Sequence, residues 1–192
     1  MEKLLNFKKL IKDNGFIKYF KNTTWVLLEK ILRIIVGLFV GVWVVRYLGP
    51  EEFGIFSYVN SIVFFFIIIS SLGLDGVLVR ELVKDDSKRD LLVGSAFFLK
   101  FCASIIVLIL VFFLINFIDI EEKTEKLTLI ITLSTVFQSF NVIDFYFQSK
   151  ILSKYVVYSN VISLLLSSIA KITLILTNCD VIAFAYVVLF DS

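Results

Sequence analysis

The chain has 192 residues, of which 59% are apolar or aromatic, including 21 Phe, 7 Tyr and 2 Trp, and its formal net charge is +2. Mean hydropathy is +0.94. An ordinary soluble domain reaches roughly 45–50% apolar only when Gly is counted as well, and a soluble fold of this size leaves about 30% of its unfolded surface in water. Soluble enzymes, disordered tails and nucleic-acid binders are thereby excluded, and the class that remains is an all-α polytopic membrane protein. With no His there is no serine–histidine or cysteine–histidine triad, and the commonest metal ligand is missing. Cys102 and Cys179 show no zinc or disulfide spacing, so no cofactor or metal is expected. A single Pro and eight Gly favour long helices over a β-barrel, which needs frequent turn signals and alternating polarity.

Residues 1–21 carry Lys3, Lys8, Lys9, Lys12, Lys18 and Lys21, with Leu4, Phe7 and Ile11 at helical spacing and an interruption at Gly15. This pattern predicts a basic amphipathic segment on the cytoplasmic membrane surface. Residues 22–192 then read as one transmembrane bundle. Its spans are expected at about 22–48, 53–83, 91–118, 127–148 and 155–177, with an incomplete sixth at 181–192. Gly49-Pro50-Glu51-Glu52 is the turn between the first two spans. The sixth stretch, at 1.5 Å per residue, covers about 18 Å of a core about 30 Å thick, and so reads as a chain cut short. Twelve basic residues fall on the N-terminal segment and the 80–89 and 150–154 regions, against three (Arg46, Lys123, Lys126) on the opposite side. That asymmetry predicts a cytoplasmic N-terminus.

Ionisable groups at bilayer depth are costly, so each needs an account. Glu29 and Arg33 share one helix face with Asn22, and Ser57, Asn60, Phe64, Ser71 and Asp75 form a stripe along the second span. Glu29, Arg33 and Asp75 fall at similar depth in the cytoplasmic half, so an ionic layer with Arg33 between two carboxylates is expected. It reads either as a cavity for an anionic substrate with a coupling cation or as a lock between two helices. Ser159, Ser163, Ser167 and Lys171 step by four along the fifth span, a pattern more typical of helix packing with hydroxyls bonded to their own backbone. Ser134, Gln138, Asn141 and Gln148 share a face of the fourth, with Asp144 at its edge, as interhelical glue or a pore lining. Gly37-x-x-x-Gly41 matches a close-packing motif. Lys100 is expected to snorkel to the interface. Tyr47 and Tyr58 are assigned to an interfacial belt.

The stretch RYLGPEEFGIFSY (46–58), followed by GLDGVLVREL (73–82), resembles the start of the bacterial polysaccharide-biosynthesis flippases, the O-antigen and capsule exporters. These share the MOP superfamily with the MATE drug exporters and the lipid II flippases. The resemblance implies the N-terminal six-helix bundle of a two-bundle MATE-like fold in the bacterial cytoplasmic (inner) membrane. It implies transport, not enzymatic chemistry, of an oligosaccharide on polyprenyl pyrophosphate. Membrane lipids and the glycan polymerase and ligase proteins are the expected partners; nucleic acid is not. Cationic residues of the cavity receive the pyrophosphate in such flippases. By position Arg33, with Asn60 and Ser71, is assigned to substrate binding, and Glu29 and Asp75 to ion coupling or charge pairing. A multidrug or lipid II exporter of the same superfamily and a non-transporting membrane scaffold are the alternatives. A polymerase-type enzyme is disfavoured by the short outer loops.

Overall fold

A computed structural model describes residues 14–117 and 120–192; Lys3, Lys8, Lys9 and Lys12 and the Leu4/Phe7/Ile11 pattern of the basic segment lie outside them. The described chain is helical throughout, with no strand. Helix α1 (Asn14–Ser71) is two arms joined across a kink at Gly49 (φ 73, ψ 176). Short α2 (Leu74–Lys84) follows, then a 3-10 turn at Asp86–Lys88 and α3 (Arg89–Phe117). Next come α4 (Glu122–Phe137), a 3-10 turn at Gln138–Asn141, α5 (Val142–Ser149), α6 (Ser153–Leu176) and α7 (Val181–Asp191). Four helical stretches among the described residues are long and apolar enough to cross a membrane: 17–84, 86–117, 122–149 and 153–176. With no strand and four such helices, the protein is an all-α polytopic membrane protein.

Local chemistry explains the breaks. A backbone at φ 73, ψ 176 is open essentially to Gly alone, and Pro50, which lacks an N–H, starts the second arm where no donor is needed. The predicted turn is therefore present. Two further breaks were not expected. Leu72 (φ 53) and Gly73 (φ 63) separate α1 from α2 inside the predicted second span. Gln138–Asn141 tightens to 3-10 inside the predicted fourth span, with the Ser139 hydroxyl turned toward the Ser104 hydroxyl of α3 at 3.5 Å. Gly15 is itself helical, and from Asn14 onward the chain runs unbroken into the first arm.

Cross-links give the direction of each element. The Asn22 amide donates to Ser153 Oγ (3.0 Å) and its oxygen accepts from Ser153 N (2.9 Å). One span-length on, Tyr47 Oη donates to the Cys179 carbonyl at 2.9 Å. The first arm and α6 thus run parallel from a near end (Asn22, Ser153) to a far end (Tyr47, Cys179). At the far end Lys123 bridges Glu52 (2.5 Å) and Asp180 (2.9 Å), aligning the starts of the second arm, α4 and α7. The hydrogen bond from Lys123 holds the Asp180 carboxyl below the usual carboxylate range, against partial burial. At the near end Lys150 pairs with Asp86.

Two main apolar cores result. The far core comprises Val59, Val63, Leu127, Ile131, Val181 and Ala185. The near core joins Leu78, Leu82, Ala96 and Val142. Most of the remaining large apolar side chains face outward, for example Leu38, Phe39, Phe65 and Phe98, each more than half exposed, as suits a lipid surround. A Cβ added at Gly37 or Gly41 would meet no neighbour within 4 Å, so this motif makes no close helix contact among the described residues.

Candidate functional site

Between the second arm, α4 and α7 lies a cleft of about 530 Å³ whose polar lining includes Asn60, Ser61, Ser134, Gln138 and Asp191. It shares Ile67 and Gln138 with a smaller cavity of about 100 Å³, nearer the Asn22 end, lined by Ser70, Ser71, Asp75, Lys100, Thr135 and Asn141 among others. Both helix breaks border the small cavity: Ser71 and Asp75 flank 72–73, and Gln138, Ser139 and Asn141 belong to the 3-10 turn. Polar side chains thus recur from the cleft, which borders Val63 and Ile131 of the far core, into the small cavity toward the near core.

The expected ionic layer is divided. Arg33 Nε donates to Glu29 Oε1 at 2.9 Å; Glu29 is 6% exposed, whereas the Arg33 side chain is 46% exposed. Asp75 is not in this pair. Its carboxylate binds Lys100 of α3. The stripe of the second span does bring Asp75 to the same cavities as Asn60, Phe64 and Ser71, but on the α3 side and away from the Glu29–Arg33 pair of the first arm. Lys100 does not snorkel either. It is 6% exposed, and its ammonium also sits 4.8 Å from the Phe145 ring centroid. A buried ammonium needs such partners, because desolvation disfavours an unpaired charge.

Of the other sequence-assigned groups, Asn60 lines the large cleft and its amide donates to Phe56 O (2.8 Å). Ser71 caps the break: its hydroxyl donates to Ile68 O (2.8 Å) and its oxygen accepts from the Gly73 N–H at 3.4 Å. Asn60 and Ser71 thus lie along one tract with Asp75, while Arg33 and Glu29 line neither of its cavities. Ser167 donates to the Leu164 carbonyl of its own helix, as expected of a packing stripe, and the neighbouring Ser168 does the same. Ser163 departs from that pattern and donates to Asp191 Oδ1 at 2.8 Å. Tyr47 is tied to the turn between α6 and α7, and Tyr58 is exposed.

Asp191 is the residue that sequence reading passed over. It lines the large cleft and also a second one of about 440 Å³ between α6 and α7. Counting from Val181 at the far end, it lies about 15 Å deep, near the midplane of a bilayer core about 30 Å thick. A carboxylate directly after the apolar run 181–190 was the signal that marked it.

Fold and site together define an integral membrane protein with a polar, charged interior, an arrangement suited to moving or holding a polar group at bilayer depth. Residues 19–190 match the family model for polysaccharide biosynthesis proteins. The chain belongs to that family. No curated protein and no solved structure matches it.

Proposed function

We propose that this protein works as a flippase, carrying the head group of a polyprenyl-pyrophosphate-linked oligosaccharide from the cytoplasmic to the outer leaflet of the bacterial inner membrane. The observation that carries this reading is the run of polar side chains along two adjoining cavities of an otherwise apolar bundle in a polysaccharide-biosynthesis chain. Sugar hydroxyls need donors and acceptors at bilayer depth, which Asn60, Ser134 and Gln138 supply. The pyrophosphate needs a cation. Arg33, outside both cavities and half exposed, fits that need because Glu29 engages only its Nε, which leaves both terminal amino groups for bidentate contact with phosphate. Buried Glu29 positions the guanidinium. Asp75 and Asp191 are the carboxylates available to couple transport to a cation. The near end, with Lys18, Lys21, Lys84, Lys88, Lys150 and Lys154, faces the cytoplasm on the positive-inside rule. No covalent step is involved.

The test is Arg33→Ala in cells that depend on this protein for surface glycan. Glycan should disappear from the surface while the variant still inserts in the membrane at normal abundance. Normal surface glycan would remove Arg33 from the mechanism.

A further inference from the structure

The bidentate Asn22–Ser153 pair brings the near ends of α1 and α6 side by side. The residues flanking that pair, Lys21 and Lys154, are both exposed, and neither has an acidic partner among the described residues. The Lys154 ammonium rests 4.7 Å from the Tyr155 ring centroid. One turn deeper Trp25 and Tyr158 meet at 5.5 Å between ring centroids, with Trp25 40% and Tyr158 52% exposed. Deeper still along the same helices, Leu28, Leu32, Ile162 and Leu165 are exposed aliphatics. From the end inward the α1–α6 surface grades from ammonium to amphipathic ring to hydrocarbon. That is the polarity profile of a glycerophospholipid read from phosphate to glycerol ester to acyl chain.

We infer that this surface binds the head group of an anionic glycerophospholipid, with Lys21 and Lys154 on the phosphate and Trp25 and Tyr158 at the ester level. Charge complementarity selects an anionic lipid over a zwitterionic one, since two cations without acidic partners among the described residues face the head-group layer. Basic sites between transmembrane helices on one leaflet are a recognised mode of such binding. The site is separate from the polar tract and does not depend on the transport reading.

Trp25 is a built-in reporter. In the Trp43→Phe variant of the full chain it is the sole tryptophan. Reconstitute that variant in phosphatidylcholine vesicles containing brominated phosphatidylglycerol or, separately, brominated phosphatidylcholine at equal mole fraction. Trp25 quenching should report a relative association constant for the anionic lipid higher on the order of fivefold, narrowing as salt is raised. Lys21→Gln with Lys154→Gln should bring the ratio to about one, while Lys88→Gln, on the other near-end loop, should leave it unchanged. Equal quenching by both lipids in the parent overturns the inference. So does a fall with Lys88→Gln as large as with the double variant, which would make the effect one of general charge. Relief of the quenching by substoichiometric polyprenyl phosphate would reassign the surface to a carrier lipid and overturn it as well.

Discussion

Lys100 lies about 16 Å into α3, far beyond the reach of a head-group layer, and is buried with Asp75 as its one carboxylate partner among the described residues. The two members of the pair are unequally placed, because the Asp75 side chain is 46% exposed and the Lys100 side chain 7%. The asymmetry gives the pair opposite tolerances. Asp75→Ala strands an ammonium in an apolar setting, and breaking a buried pair in this way costs about 3–5 kcal/mol. Lys100→Met removes the buried charge itself and leaves a carboxylate that water in the small cavity can solvate, so the loss should be about 1 kcal/mol or less. Thermal unfolding of the purified variants in one detergent measures both. Asp75→Ala should be clearly the less stable, and equal losses would mean that the pair is solvated as a unit.

At the scale of elements, the turn and the far-end clasp carry separable predictions. Gly49 occupies a backbone region that a Cβ makes strained, so Gly49→Ala should cost about 1–3 kcal/mol even though no neighbour lies within 4 Å of the added atom. Gly37 has the same open surroundings but helical geometry. Gly37→Ala should be neutral or stabilising by about 0.5–1 kcal/mol, and a large loss there would restore the close-packing motif to importance. The clasp is electrostatic. Lys123 lowers the pKa of Asp180 relative to an unfolded aspartate, so the ionised form is favoured by folding. Its contribution is complete above the ordinary aspartate value of about 4 and is lost as pH falls through the lower folded value. The stability difference between the parent and Lys123→Met should therefore be present at neutral pH and shrink in acid below about pH 4. A difference that does not vary with pH would show that Lys123 acts by packing alone.

Across the whole molecule, what could be read from sequence followed from how local its causes are. Membrane class and the Gly49-Pro50 turn depend on composition and on a few adjacent residues, and they are present as read. The partners of Asp75 and Lys100 depend on which helices pack beside the second span, and burial of Lys100 depends on three helices meeting, so neither was available to a pattern drawn on single helices. Two unforeseen breaks mark the largest-scale feature. The far core of Val59, Val63, Leu127, Ile131, Val181 and Ala185 and the near core of Leu78, Leu82, Ala96 and Val142 are distinct clusters, and polar side chains recur from the cleft beside the first into the small cavity toward the second. Two helices are interrupted beside that cavity, at 72–73 and at 138–141, while α3 passes it unbroken. Interruption removes regular backbone hydrogen bonds, and a layer of Ser70, Ser104, Thr135 and Ser139 has little apolar area to resist opening. The near block of α2 and α5 should consequently open independently of the far block. Hydrogen exchange on the reconstituted protein should show the lowest protection of any buried helix at 71–74 and 138–141, with the far core exchanging slowest. Uniform protection through both breaks would instead make the bundle a single rigid unit, and any motion needed to pass a head group along the tract would then have to be a movement of the whole bundle against its surroundings.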